Sequence, residues 1–369
     1  MPARANYILS IRIFICLLFA HTILSAQKKV VEKPILYGIY NNDSSFETRI
    51  IPIYSSGIKS NDQALSKGFH LPANGHNSNS NEWYGSATLA ADPGSGLLFY
   101  ASKELDKQSF WAISKTGKHF NLNPGKTDLT GHSLTKMAMG PDGFVYALST
   151  CLRDKNATSG KETILVRFKA CVSPGCSQFE ILGHVPSGGQ YRNANAYSGD
   201  IAFSASGDMY IFGTTINPLI NYYTGSLIYK LPASQLKKPV KHNRELEIQF
   251  VGQVKGMGKE LGMDSVIITG VAFEPSGDFV LATVDKYTQK RVLFYRGSAI
   301  GPVTIVYPVF TALEAPPGFV ISDLASVYRP TVNINRKQNG EEDMHKSISA
   351  VQNMDAYIKL TTYNAGSQK

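Results

Sequence analysis

Two aspartates recur at one place in a repeated phrase. Asp200 precedes Ile201-Ala202 and Asp323 precedes Leu324-Ala325, and Thr88, Lys136 and Gly270 fill the same place in the other copies. If the copies are arranged so that these positions converge, two carboxylates, one ammonium and one hydroxyl meet. Paired carboxylates could hold a divalent cation, and a hard ion such as calcium takes about six to eight oxygen ligands. That chemistry belongs to a metal-dependent lactonase or ester hydrolase. The competing expectation is structural: the two carboxylates accept hydrogen bonds from backbone groups of neighbouring units, or pair with Lys136.

A second group of residues suits recognition. The stretch 56–84 carries His70, His76, Trp83 and Tyr84; 186–198 carries Tyr191, Arg192, Asn193, Asn195 and Tyr197; 215–225 carries Asn217, Asn221, Tyr222 and Tyr223; Lys286 and Tyr287 follow in a later connector. Aromatic rings and arginine bury much area at low entropic cost, so on a loop face they suit a protein partner, and tyrosine with asparagine also suits sugars. The plainer expectation is a set of tyrosine-rich loops packing on themselves. Other reaction types find no support. His119, His132 and His184 lack the close spacing of a metal site, and neither Gly-x-Ser-x-Gly nor Gly-x-x-x-x-Gly-Lys-Ser/Thr occurs. Cys171 and Cys176 flank a Pro-Gly turn, so a disulfide closing that hairpin is expected, with Cys151 left as a lone thiol. Zinc would need a fourth ligand that nothing nearby supplies.

The elements that must position these residues are written in the repeats. Similar phrases occupy 87–101, 135–147, 199–211 and 269–281, with a truncated copy at 322–326. In each full copy an apolar run meets a Pro, Ser or Asp next to Gly, and a run of aromatic and β-branched residues follows. That is a hairpin with a glycine at the positive-φ position. Third strands are expected at 109–113, 163–168, 226–231 and 291–295, and fourth strands at 118–122, 179–185, 246–251 and 303–309. Units of four strands with almost no helical periodicity are the blades of a β-propeller.

The truncated copy is expected to take its third and fourth strands from 34–40 and 46–53, with 331–335 as its second. Such closure removes an exposed sheet edge. This gives an all-β propeller of five four-stranded blades, with six as the alternative if 56–82 hides another.

The phrase x-Ala-x-x-Pro-Asp/Ser-Gly-x-x-Tyr resembles the repeat of NHL and SMP-30/gluconolactonase-like propellers, and the Ser-Asp-Leu-Ala ending at 322–325 is similar to that of exported bacterial repeat proteins. The resemblance spans 34–335 and implies a shape more than an activity. SMP-30-like hydrolases would add a glutamate and an asparagine at matching first-strand positions, and this chain has neither. Quinoprotein propellers dock their blades through recurring tryptophans, whereas only Trp83 and Trp111 are present.

The rest of the chain sets the context. Among 369 residues, 37 are basic and 28 acidic, a formal +9, yet no block of five or six like charges occurs. The spread argues against a nucleic-acid groove. Arg4 and Arg12 precede an apolar run at 13–20, and Ser25-Ala26 supplies small residues before Gln27-Lys28-Lys29, the pattern of a signal peptide over 1–26. No second hydrophobic segment follows, so no membrane span is expected after cleavage. The mature chain is expected to be secreted, periplasmic or at the cell surface. The propeller fills 27–335, and the polar stretch 336–369 reads as a partly disordered tail. The leading expectation is a non-catalytic binding or scaffold module without cofactor, engaging a protein or glycan of the cell envelope. The calcium-dependent hydrolase is the alternative.

Overall fold

The structure is a computed structural model that describes residues 34–42, 48–54, 69–70, 87–102, 110–122, 132–151, 163–172, 178–186, 199–204, 206–217, 222–236, 244–254, 266–273, 279–285, 292–297, 305–306, 313–314 and 319–327. All of them belong to one unit, Pro34–Lys369. The leader at 1–26 and the tail at 336–369 lie outside the described residues.

Alternating apolar residues and turn glycines produce an all-β chain, and the described strands form five sheets. One contains β4 (Ala87–Ala91), β5 (Leu98–Ser102), β6 (Phe110–Ile113) and β7 (His119–Asn121). The next contains β8 (His132–Met139), β9 (Phe144–Cys151), β10 (Thr163–Lys169) and β11 (Glu180–His184). A third is built from β12 (Gly199–Phe203), β13 (Met209–Asn217), β14 (Tyr222–Leu231) and β15 (Gln249–Val254), with β19 (Ile305–Val306) added in parallel to β15. A fourth holds β16 (Val266–Phe273), β17 (Phe279–Asp285), β18 (Val292–Gly297) and β20 (Leu313–Glu314). In the last, β21 (Phe319–Ser326) pairs with β1 (Leu36–Asn42), which pairs with β2 (Thr48–Ile53) and then β3 (Phe69–His70).

The turn chemistry follows the sequence. Gly96, Gly143 and Gly207 sit at φ of 71°, 84° and 83° in the first three hairpins. A side chain there would strain the backbone. In the first hairpin Asp92 anchors the turn, its carboxylate accepting bonds from the Gly94 and Ser95 amides at 3.0 and 3.2 Å.

The first strands of the five sheets touch in a closed cycle: β4 on β8, β8 on β12, β12 on β16, β16 on β21, and β21 on β4. This is the hub of a β-propeller with four-stranded blades. Apolar cores fill the spaces between neighbouring sheets. Phe99, Phe110, Val145 and Phe168 pack between the first two, and Tyr146, Leu165, Ile211 and Tyr229 between the next pair. Phe212 meets Phe279 at 5.9 Å between ring centroids across the following interface. Leu36, Ile51 and Ala282 fill the next, and Ile39, Leu89 and Tyr100 the interface that completes the cycle.

Three expectations are corrected by register. Four sheets are four-stranded blades, whereas the β12–β15 sheet carries a fifth strand, so the count of uniform four-stranded blades is four. The expected fourth strand at 303–309 is displaced: its described part, β19, pairs with the edge of β15, and the later β20 takes the place beside β18. In the closing blade β1 pairs directly with β21 and is its second strand, not its third. The segment 331–335 lies outside the described residues. β3 then serves as that blade's outer strand, which assigns 69–70 to the closing blade instead of a sixth.

A recurring irregularity aims the hub residues. Pairing along β8 shifts between Leu134 and Lys136, and along β16 between Ile268 and Gly270. Along β21 it passes from Ile321 to Asp323 across β1. Each shift passes over the residue just before the hub position, namely Thr135, Thr269 and Ser322. A bulge there turns the strand and redirects the next side chain. Two of the bulged threonines fasten it: Thr135 Oγ1 donates to the Leu148 carbonyl at 3.3 Å and Thr269 Oγ1 to the Ile321 carbonyl at 2.6 Å.

Candidate functional site

The hub position brings together Thr88, Lys136, Asp200, Gly270 and Asp323, one from each first strand. All four side chains among them are sealed from solvent, with exposures of 0% for Thr88 and Asp200 and 1% for Lys136 and Asp323. A buried carboxylate is costly unless hydrogen bonds satisfy it. Here the backbone supplies them in a repeated pattern. Asp200 accepts from its own neighbour, the Ile201 amide, and from the Val271 amide of the next first strand, both at 2.7 Å. Asp323 accepts from the Leu324 amide at 2.7 Å and from the Leu89 amide of β4, the next strand in the cycle, at 2.9 Å. Each aspartate thus ties its own strand to the following one.

The two carboxyl groups lie close enough to interact, and two acids buried side by side disfavour double ionisation. Burial raises the Asp200 carboxyl well above its ordinary value, the neighbouring Asp323 raises it further, and the Val271 and Ile201 amides pull the other way. Gly270, on the strand between them, makes the approach possible. A Cβ there would lie 2.6 Å from the Leu324 amide nitrogen and 2.7 Å from the Asp323 carbonyl carbon.

This donor set does not fit calcium. Each of the four carboxylate oxygens accepts an amide bond. The layer otherwise offers a lysine, a threonine and a glycine where about six to eight oxygens are wanted. No group of three or more metal-ligating side chains occurs among the described residues. Below this layer the channel is lined by Ala90, Ala138, Ala202, Ala272 and Ala325, leaving a cavity with room for little more than one water molecule.

The recognition residues fare differently. Trp83, Tyr84, Tyr191, Arg192, Tyr197 and Tyr287 lie outside the described residues. Tyr222 and Tyr223, expected in an open connector, begin β14 and pair with Asn217 and Ile216 of β13. Among the described residues, that hairpin runs further past the hub than its counterparts. Measured from the residue opposite each hub position, β13 continues from Phe212 to Asn217, whereas β9 ends at Cys151 after Leu148 and β17 at Asp285 after Ala282. The tyrosine pair is therefore placed at the end of the sheet where the connectors enter the first strands.

Cys171 is disulfide-bonded, and Cys176 lies outside the described residues. Cys151 adjoins Thr150, which pairs with Thr163, while Cys171 follows Lys169, which pairs with Phe144. The two cysteines stand at opposite ends of the β9–β10 ladder, about 20 Å apart at strand rise, far beyond the roughly 7 Å a disulfide spans. Cys151 is not the partner. The histidines are dispersed as expected, on β7, at the start of β8 and at the end of β11.

Sequence reasoning missed the bulges, the glycine-permitted contact of the acids and two buried hydroxyls without partners, Thr88 Oγ1 and Ser149 Oγ. The recurrent Thr, Ser or Gly just before the hub position was the one available signal.

No family model and no curated protein matches the chain. Solved structures do resemble it at low identity. A Bacteroides caccae protein of unknown function is 10% identical with a TM-score of 0.40, covering 79% of this chain and 98% of that one. A luciferin-regenerating enzyme is 9% identical with a TM-score of 0.39, covering 78% of each. A gluconolactonase from Xanthomonas campestris is 10% identical with a TM-score of 0.35, covering 78% and 77%. Likeness at this level carries no argument about activity, and the fold rests on the sheet topology itself.

Proposed function

We propose that this chain is an exported, non-catalytic β-propeller of five blades whose connector face engages a protein or glycan of the cell envelope. The observation that carries the reading is the closure of the hub. Asp200 and Asp323, the residues best suited to chemistry, are sealed from solvent and committed to four backbone amides. A hydrolase working at this level would need room for a substrate and a free nucleophile or metal, and the tight apolar channel end offers little. The acids serve as fasteners between blades.

Binding then falls to the face where connectors gather. In each antiparallel sheet the connector entering the first strand and the one joining the second to the third share an end. The β13–β14 hairpin has Tyr222 and Tyr223 at that end. The disulfide at Cys171 supports an oxidising compartment, in keeping with the leader pattern at 1–26.

The test is co-sedimentation of the purified mature protein with a washed envelope fraction, comparing wild type with a Tyr222→Ala, Tyr223→Ala variant of matched circular dichroism. Wild-type binding reduced at least several-fold in the variant supports the reading. Absence of wild-type binding overturns it, and unchanged variant binding overturns the assignment of the hairpin.

A further inference from the structure

We propose that one buried water molecule occupies the hub between the first two blades, bridging Thr88 Oγ1, the Met137 amide and Ser149 Oγ. The five first strands carry five equivalent amides just after the hub position: Leu89, Met137, Ile201, Val271 and Leu324. The aspartates take four of them, each serving its own strand and the next. Met137 donates to neither.

Thr88 stands where an aspartate would have to stand to take it. It holds in β4 the position from which Asp200 and Asp323 reach the amide of the following strand, and β8 is the strand that follows β4. Its side chain is shorter than that reach requires, and its hydroxyl has no partner although the residue is 0% exposed.

A second orphan lies on the facing sheet. Thr88 is paired with Ala101, whose side chain belongs to the core between the first two blades. Ser149 is paired with Leu134 and Ile164, both in that same core. Directly opposed residues share a face, so the Thr88 and Ser149 side chains enter one inter-blade space from opposite sides. The Ser149 residue is 1% exposed and its Oγ is likewise unpartnered. Buried polar atoms in folded proteins nearly always find partners. A buried water typically makes about three hydrogen bonds, which matches two hydroxyls and an amide.

Each hydroxyl can both donate and accept, so a neutral water satisfies the two of them together with the amide. Water accepts from the Met137 amide while the hydroxyls rotate to suit it.

The sign of one substitution tests this. Thr88→Val keeps the shape and removes the hydroxyl. With the water present it breaks a satisfied network, and the thermal midpoint falls by ~2 °C or more, while Thr88→Ser stays near wild type. If the hydroxyl is a plain orphan, Thr88→Val raises the midpoint, and the proposal is overturned. A crystal structure of the wild-type protein tests it independently of variant folding. Density for a water within hydrogen-bond distance of Thr88 and Ser149 supports it, and an empty site, or a bromide anomalous peak there after soaking, refutes it.

Discussion

The buried carboxyl group of Asp200 lies close enough to that of Asp323, across the strand that carries Gly270, for the second acid to raise the proton affinity of the first. They belong to different blades, and each also holds the amide of the next first strand. The contact therefore couples three consecutive blades, one of them the closing blade in which β21 is completed by β1. Ring closure and hub electrostatics depend on the same residues.

Deprotonating the pair should weaken the fold. Asp200 has its carboxyl value raised in the folded state, first by burial and then by Asp323. A raised value favours folding below the ordinary carboxylate range of about 4, and that contribution is lost as pH rises through the folded-state value. The thermal midpoint of wild type should therefore fall, over this window, relative to an Asp200→Asn variant. Parallel pH profiles for the two proteins would contradict the raised Asp200 value.

Gly270→Ala should destabilise by about 1–3 kcal/mol, the usual cost of forcing an extra group into a packed region. The added Cβ meets backbone atoms of Asp323 and Leu324 at under 3 Å, and these cannot swing away as a side-chain tip could. Urea unfolding measures the loss. A variant as stable as wild type would show that the first strands are further apart than described.

Asp323→Ala strips the Leu89 and Leu324 amides of their acceptor. Each buried donor left unsatisfied costs about 1–3 kcal/mol. The loss should be smaller when Asp200 is already alanine, because the two buried acids interact, and a double-mutant cycle reads that coupling. Additive losses would mean the acids act independently.

Much of this architecture was legible in the chain. The Pro/Ser/Asp-Gly turns locate the hairpins because glycine alone accepts their φ cheaply, and Gly96, Gly143 and Gly207 adopt it. The recurrent Ala pair locates the hub, and with it Thr88, Lys136, Asp200 and Asp323. What local pattern could not encode is register. β19 leaves its own blade for β15, and β1 takes the second place in the closing blade rather than the third. Both depend on which distant strand offers a free edge. The bulges before Lys136, Gly270 and Asp323 are likewise invisible until strands are paired. Residue type alone leaves the two aspartates open to a structural role or a cation site. The backbone amides they accept favour the structural role, and no amide position can be read from a side-chain sequence.

Thiol chemistry offers a separate check. Removal of the leader would leave Cys151, Cys171 and Cys176. Alkylation of the unfolded, unreduced mature protein should label Cys151 alone, with Cys171 and Cys176 recovered as one disulfide-linked peptide. Labelling of Cys176 in place of Cys151 would contradict the strand register of β9 and β10.

Calcium titration tests most directly whether the hub is a fastener and not a metal site. Calorimetry of the purified mature protein should give no saturable heat, and its thermal midpoint should be the same in calcium and in chelator. Stoichiometric calcium binding that stabilises the protein and vanishes in an Asp200→Ala variant would contradict the account.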